Sequence, residues 1–444
     1  ADDGTVLDEQ RAAHPDGTEV DPGHWVAALE ATTGDLLPRA AAVSVAGQQH
    51  GMVALGADGR PVRPALLWND LRSAPQAAEL VTELGGPSEC AALVGSVLVA
   101  SYTVTKLRWL RDHEPDHADA VRRVLLPHDL LTWHLAGRHD DPVTDRGDAS
   151  GTGYFSTVEG RWLPDVAARA LGHEVGLSRV AAPAEAVGRT ATGAVIGCGT
   201  GDNMAAALGL GLEAGDVAVS VGTSGVASVV SPTPTADPSG LVSGFADATG
   251  RFLPLVCTLN ASRVLDLTAR LLGVDHTGLA SLALASPPGA GGLTLLPYLD
   301  GERTPNRPDA SGTLHGLTST TSREQLARAA VEGLLCSLAD AVDHLVAATG
   351  TPVRRVVLVG GGARNEAVRV VAPAVLGVPV HVPPESEYVA RGAARQAAWV
   401  LSGDSRPPAW PLPDVREYEA TPTPQVRARY AALREDPPPP VTDR

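Results

Sequence analysis

Apolar positions along the chain follow two rhythms. Short apolar runs closed by glycine or turn residues predict strands over 41–45, 52–55, 63–68, 194–197, 216–221 and 356–359. Ala57-Asp58-Gly59-Arg60 supplies a hairpin turn between two of them. Helical spacing appears over 73–84, 103–113, 125–135, 323–349 and 387–402, and an Ala-rich helix starts at 204–212. In the second of these Leu107 and Leu110 share a face and Pro115 ends the run; in the fourth Leu326, Ala330, Leu334 and Leu335 do so. Residues 143–155 and 231–239 are rich in turn formers and read as loops. Strands alternating with helices predict an α/β fold. Beyond Asp404 prolines dominate, ending in Pro437-Pro438-Pro439-Pro440, and a poorly packed tail is expected.

Three strands run into glycine-rich turns. The first leads into Cys198-Gly199-Thr200-Gly201-Asp202-Asn203, the second into Gly222-Thr223-Ser224-Gly225, the third into Gly360-Gly361-Gly362-Ala363-Arg364-Asn365. Each has two readings. Gly222–Gly225 is a tight hairpin turn or a loop whose backbone N–H groups and hydroxyls meet a phosphate. The triple glycine is a plain strand-to-helix connection or a flat surface for a ligand such as adenine; it lacks the spaced third glycine of a dinucleotide fingerprint. Asp202 caps a helix N-terminus or takes a proton from a substrate hydroxyl. His50, beside Gln48 and Gln49, is structural or a ligand-binding group. Trp68-Asn69-Asp70 is a core tryptophan followed by a turn, or an aromatic plate with acceptors suited to a sugar.

Composition narrows the classes. The 444 residues allow two or three domains. With 44% hydrophobic and 19% charged residues the chain is globular, and its net charge of −16 argues against a nucleic-acid or acidic-membrane binder. No apolar run approaches the ~20 residues of a membrane span, and the polar opening Ala1-Asp2-Asp3-Gly4 predicts no signal peptide. Cys90, Cys198, Cys257 and Cys336 are far apart, so no zinc ribbon or disulfide framework is expected and a reducing cytoplasm is the default. Lys106 is the sole lysine and follows Thr105 in an apolar stretch, which excludes a P-loop.

The motifs in this order resemble the FGGY family of carbohydrate kinases and, within it, the xylulose kinases. One family signature matches Ser101-Tyr102-Thr103-Val104-Thr105-Lys106-Leu107-Arg108-Trp109-Leu110-Arg111-Asp112-His113. A second matches Gly312-Thr313-Leu314-His315-Gly316-Leu317 through Glu324, Gln325-Leu326 and Ala329-Ala330-Val331-Glu332. Gly47-Gln48-Gln49-His50-Gly51, Leu67-Trp68-Asn69-Asp70, Gly201-Asp202-Asn203, Leu296-Pro297-Tyr298 and Gly301-Glu302-Arg303-Thr304-Pro305 complete the likeness, which extends to about Gly403.

The resemblance implies two actin-like (ribonuclease H-like) domains with ATP and sugar in a cleft between them. A sugar-binding domain is expected over 1–212, an ATP-binding domain over 213–404 and a Pro-rich tail over 405–444. It implies transfer of the ATP γ-phosphoryl group to D-xylulose, with Mg²⁺ on the nucleotide and Asp202 as the base. Gln49, His50, Trp68, Asn69, Asp70 and Asn203 would hold the sugar. Gly222, Thr223, Ser224 and Gly225 would cradle phosphates, and Gly361, Gly362 and Asn365 would face the adenosine; no metal ligand is assigned. Cytoplasmic localisation and a homodimer are expected, without nucleic-acid or membrane partners. Family members open with an Asp-bearing strand and a phosphate-binding hairpin. The sequence as given starts beyond the corresponding point, so in this form it is expected to be a poor kinase. The competing readings are a kinase of the same family for ribulose or glycerol, a non-catalytic sugar- or nucleotide-binding homologue, and an actin- or chaperone-like ATPase; the Gln-Gln-His and Trp-Asn-Asp pieces argue against the last.

Overall fold

A computed structural model describes residues 1–436, so Pro437-Pro438-Pro439-Pro440 lies outside the described residues. The chain divides into two compact units. The first takes residues 1–212, 232–253 and 386–411; the second takes 213–231, 254–385 and 412 onward. The division expected near residue 212 is therefore not a single cut, because two later segments return to the first unit. Among the described residues no helix is long and apolar enough to cross a membrane.

In the first unit the apolar run 41–45 holds one short strand, Ala42–Val43, and a second, Ala46–Gly47, follows where the run is expected to turn. The first pairs in parallel with Val195–Gly197 and the second with Thr200–Gly201, Gly47 facing Gly201. Strands paired in parallel leave the sheet at the same end. Residues 48–50 and 202–203 are thereby delivered side by side, and the helix Asp202–Leu210 starts there. The helix Thr103–His113 forms where its spacing predicts, burying Leu107 and Leu110. The expected loop over 143–155 is more ordered than its composition implies. Val143–Asp145 is a strand, and Arg146–Ala149 is a helical turn whose N-cap Asp145 accepts from Gly147 N and Asp148 N. Its polar side chains serve as caps and buried ligands, which hydropathy alone misreads as solvated loop.

The returning helix Tyr388–Ser402 lies on the helix Asp202–Leu210. The two backbones touch through glycine: a Cβ on Gly392 would fall 1.8 Å from Ala205 O, and one on Gly209 would fall 2.1 Å from Tyr388 O. This close approach ties residues 386–411 to the first unit although they follow most of the second in sequence.

The second unit is built on a six-stranded sheet in the order Leu255–Thr258, Gly225–Val229, Asp216–Val221, Arg355–Val359, Val380–Val382, Arg416–Tyr418. Asp216–Val221 pairs antiparallel with Gly225–Val229 and parallel with Arg355–Val359. Val217, Val219 and Val221 are fully buried, each worth about 1.5–3 kcal/mol of apolar burial. The helix Arg323–Thr349 begins with a reciprocal capping box between Ser322 and Gln325 and buries most of its length. The tail expected to pack poorly is partly folded. Arg416–Tyr418 completes the sheet edge against Val380–Val382. Pro424–Glu435 is a helix that buries Val426 and Tyr430, one turn apart, and pairs Arg427 and Arg434 with Asp340. Proline here opens the helix at its first turn instead of breaking it.

Replacing Gly392 by alanine should force the two first-unit helices apart. Overpacking against backbone costs about 3 kcal/mol, or roughly 6–12 °C in Tm for a unit of this size. Calorimetry of Gly392→Ala against Gly361→Ala, whose Cβ would meet nothing within 4 Å and whose φ is not left-handed, checks this.

Candidate active site

The first unit gathers one polar cluster at the shared strand ends. Asn203 Nδ2 donates to Gln49 Oε1 (2.8 Å) and to Asp202 Oδ1 (3.2 Å), and Asn203 N donates to Asp202 Oδ1 at 2.8 Å. Gly201, not Asp202, is the helix N-cap residue, and Asp202 is the first residue inside the helix. No cation pairs with Asp202 among the described residues. Burial raises its carboxyl pKa from the ordinary 3.8 to about 6, against the lowering effect of N–H groups at Asn203 and Asp202 itself. Gln49 is buried, and its Nε2 has no protein acceptor. A buried donor left unmet costs about 1–3 kcal/mol, so a ligand hydroxyl at this point would be favoured.

His50 follows directly, in a left-handed conformation with φ of 67°, a strained setting for a side-chain-bearing residue. Its Nδ1 lies 2.5 Å from Gly151 O. A carbonyl only accepts, so Nδ1 carries the proton. The ring packs against Tyr102 and Phe245 at centroid distances of 5.2 and 5.5 Å. Lys106 holds the adjoining segment: its buried ammonium donates to Ala100 O, Ser101 O and Tyr102 O. Burial pulls the amine down to about 7, opposed by the Asp70 charge.

The Trp68-Asn69-Asp70 piece is arranged differently from a row of free acceptors. Trp68 is 53% exposed, as a plate awaiting a ligand or a surface contact would be. Asn69 Nδ2 donates to Gly17 O at 3.2 Å. The Asp70 carboxylate is buried and taken up by Arg72, whose Nε lies 2.9 Å from Oδ1 and 3.0 Å from Oδ2. Burial raises its pKa, but bonds from Arg72 and Thr18 outweigh that and leave it lowered. The structure brings Gln49, Asp202 and Asn203 into direct contact and joins His50 to them through the chain; it gives no direct bond from Trp68, Asn69 or Asp70 to that cluster.

In the second unit Gly222, Thr223 and Ser224 form the hairpin turn between paired Val221 and Gly225. Strand follows this turn, unlike the other two glycine turns, which lead into helices. Thr223 and Ser224 are exposed. The turn is held from behind: Ser262 N donates to Gly222 O (2.8 Å) and Ala261 N to Thr223 O (3.1 Å). The segment that supplies these donors is itself fixed by buried Glu302, whose Oε1 accepts from Leu259 N at 2.6 Å and Arg303 N at 2.7 Å, and whose Oε2 accepts from Asn260 Nδ2 at 3.0 Å. Two of these bonds, from Leu259 N and Asn260 Nδ2, thus hold the segment behind the turn.

Beside it lies a cavity of about 440 Å³ lined by Ser262, Leu265, Asp266, His276, Gly361, Gly362 and Asn365, among others. Asn365 caps the helix Glu366–Leu376 through Oδ1 and donates to His276 O at 3.3 Å. Gly362 is required by packing, since a Cβ would fall 2.4 Å from Val221 Cγ1. A Cβ on Gly361 would meet nothing within 4 Å, so this glycine presents open backbone to the cavity. Sequence reasoning missed Ser262, Asp266 and His276. The only local signal was Asp275, whose side chain accepts from Gly278 N and starts a helix at His276.

The described residues contain no group of three His, Cys, Asp or Glu that could hold a metal ion. Comparison with known proteins adds the following. A model of the N-terminal domain of the FGGY family of carbohydrate kinases matches residues 5–211, and one of its C-terminal domain matches residues 217–401. Xylulose kinases of Streptomyces coelicolor and Streptomyces rubiginosus are 48% and 47% identical over 396 and 401 residues, in each case 87% of this chain and 80% of the relative. The crystal structure of xylulose kinase from Bifidobacterium adolescentis superposes with a TM-score of 0.89 at 44% identity, covering 96% of this chain and 94% of that one.

The two glycines of the cavity should separate by substitution. Gly362→Ala should destabilise the protein through its clash with Val221 by about 1–3 kcal/mol, read as a lower Tm. Gly361→Ala should leave Tm unchanged and weaken nucleotide binding measured by calorimetry. Equal effects of both on Tm would make the triple glycine a packing feature only.

Proposed function

The chain belongs to the FGGY family of carbohydrate kinases, and from that premise we propose that it transfers the γ-phosphoryl group of ATP to the 5-hydroxyl of D-xylulose. The products are ADP and D-xylulose 5-phosphate. Its fold is the two-domain actin-like fold of that family. The substrate assignment is supported by near-50% identity to proteins named xylulose kinases across most of the chain. The observation that carries the mechanism is the Gln49–Asn203–Asp202 contact, which leaves a carboxylate of raised pKa and an unmet amide donor at one strand end.

Asp202 accepts the proton of the 5-hydroxyl as its oxygen attacks the γ-phosphorus and the bond to ADP breaks. Asn203 holds the carboxylate by one oxygen, so its orientation is fixed before the sugar arrives. Gln49 Nε2 donates to a sugar hydroxyl, and His50 and Asn203 complete the polar contacts. Trp68 offers its exposed face to the sugar C–H surface. Asn69 and Asp70 hold the turn that presents it, Asp70 through Arg72. Gly222, Thr223, Ser224 and Gly225 meet the phosphates, and Gly361, Gly362 and Asn365 bound the cavity for the adenosine.

Mg²⁺ bound with the nucleotide would supply charge neutralisation, the dominant need in phosphoryl transfer. Its preference for phosphate oxygens and water asks for no three-ligand protein cluster, so the donor set fits a metal that arrives with the nucleotide. A cytoplasmic setting, where ATP is available, accords with four free cysteines.

ADP release measured with D-xylulose, D-ribulose, glycerol and gluconate tests the substrate. The highest kcat/KM is expected with D-xylulose, and a higher value with another acceptor overturns the assignment. Asp202→Asn should cost about 10²–10⁴-fold in kcat while nucleotide binding persists. Because the base acts as a carboxylate, kcat/KM should fall tenfold per unit as pH drops below about 6. The stability effect has the opposite sense. A folded-state pKa raised from 3.8 to about 6 favours the protonated form; that contribution is complete below about 4 and lost once pH rises through 6. Asp202→Asn should therefore raise Tm at pH 7.5 although it removes turnover.

A further inference from the structure

Beneath the first-unit cluster lies a set of ionisable groups that the phosphoryl transfer does not use. His128 is fully buried. Its Nδ1 lies 2.7 Å from Asp148 Oδ2, and its Nε2 faces Asp129 Oδ1 at 3.3 Å and Asp145 Oδ1 at 3.9 Å. Burial lowers the imidazole pKa, but Asp129, Asp148 and Asp145 outweigh that and raise it to about 9, while burial raises the acids in turn, Asp148 to about 7. Its carboxylate partners are anchored in turn. Asp129 Oδ2 accepts from Leu126 N and Ser178 Oγ. Asp145 accepts from Gly147 N, Asp148 N and, at 2.7 Å, Thr200 Oγ1.

These bonds reach the segments that carry Gln49, His50 and Asp202. Thr200 stands two residues before Asp202 on the strand Thr200–Gly201. Gly47, two residues before Gln49, packs on His128: a Cβ there would fall 2.9 Å from His128 N. Asp148 begins the turn that ends in Gly151, whose N donates to Asp148 O at 2.9 Å and whose carbonyl accepts from His50 Nδ1 at 2.5 Å. The path from His128 to the His50 ring is thus one ion pair, one tight turn and one hydrogen bond.

We propose that His128 is a positioning residue for sugar binding: through Asp148 it fixes the Gly151 carbonyl, which sets the proton on His50 Nδ1 and the direction of the His50 ring. An apolar residue of similar size would fill the same volume without holding Asp148. The hydrogen bond is what carries the function, so asparagine, whose Nδ2 can stand where Nδ1 stands, should retain it. This inference rests on the reading that His50 contacts the sugar.

The experiment compares His128→Leu, His128→Asn, Asp148→Ala and His50→Gln in the full chain. Readouts are Tm, separate KM values for D-xylulose and ATP, and the ¹⁵N shifts of the His50 ring, assigned by its loss in His50→Gln. In His128→Leu the KM for D-xylulose should rise by about tenfold to a hundredfold, as expected for a misplaced contact. Its KM for ATP should stay within about twofold, and His50 should lose its fixed Nδ1–H tautomer. His128→Asn should return most of the sugar KM and the tautomer. Should the leucine variant not fold, Asp148→Ala, which removes the acceptor for His128 Nδ1, should show the same selective rise in sugar KM. Equal rises in both KM values, an unchanged His50 tautomer, or an asparagine variant no better than leucine overturns the proposal. If His50→Gln leaves the sugar KM unchanged, the sugar-site reading fails; if it raises KM while the His128 and Asp148 variants do not, only the positioning role fails.

Discussion

A histidine ringed by three acidic side chains is a costly object to bury. Each ion loses several kcal/mol of hydration, and the charges recover it only if every partner is held in place. Asp129 is held by Leu126 N and Ser178 Oγ and Asp145 by Gly147 N and Thr200 Oγ1, donors scattered over some 75 positions of sequence, and Asp148 is held through His128 Nδ1. The constraint works both ways. Strand 200–201, the turn after residue 145 and the helix start at His128 cannot move independently without leaving a buried charge unpaired. The segments bearing Gln49, His50, Asp202 and Asn203 are all tied to this framework.

The second unit solves its positioning problem with neutral donors around one carboxylate. Glu302 collects backbone N–H groups from two segments and, through Leu259 to Ser262, sets the hairpin turn after Val221. Hydrogen bonds to a charged acceptor are roughly twice as strong as neutral ones, and they leave the exposed face of the turn, Thr223 and Ser224, open. Both units therefore place the candidate site residues on strand ends and lock them from behind with a buried ionisable group. Phosphoryl transfer demands little covalent work and much preorganised positioning, and this construction suits it.

Local elements were legible where side-chain spacing dictates them. The helices at Thr103–His113 and Arg323–Thr349 have apolar faces of unambiguous period, and the second carries its own capping box. Asp202 could be placed at a strand-to-helix junction because glycines mark it. What could not be read depends on distant partners. Nothing near Gly392 says that it meets Ala205 O, so the return of residues 386–411 to the first unit was invisible, as was the split domain. His128 and Asp148 look like ordinary polar residues until the topology brings them together. Asp70 offers an acceptor on paper, but Arg72, two residues away, occupies it. The Pro-rich tail was misjudged because composition outweighed the Val426 and Tyr430 spacing.

The central claim is that ATP phosphorylates one particular hydroxyl of one particular sugar. The most direct measurement is ³¹P NMR of the purified protein turning over ATP with D-xylulose in the presence of Mg²⁺, followed by proton–phosphorus correlation. Loss of the γ-phosphate signal should be matched by a phosphomonoester signal coupled to the C5 protons, with ADP in equal amount. Inorganic phosphate as the sole product, or coupling to a proton at another carbon, would contradict it.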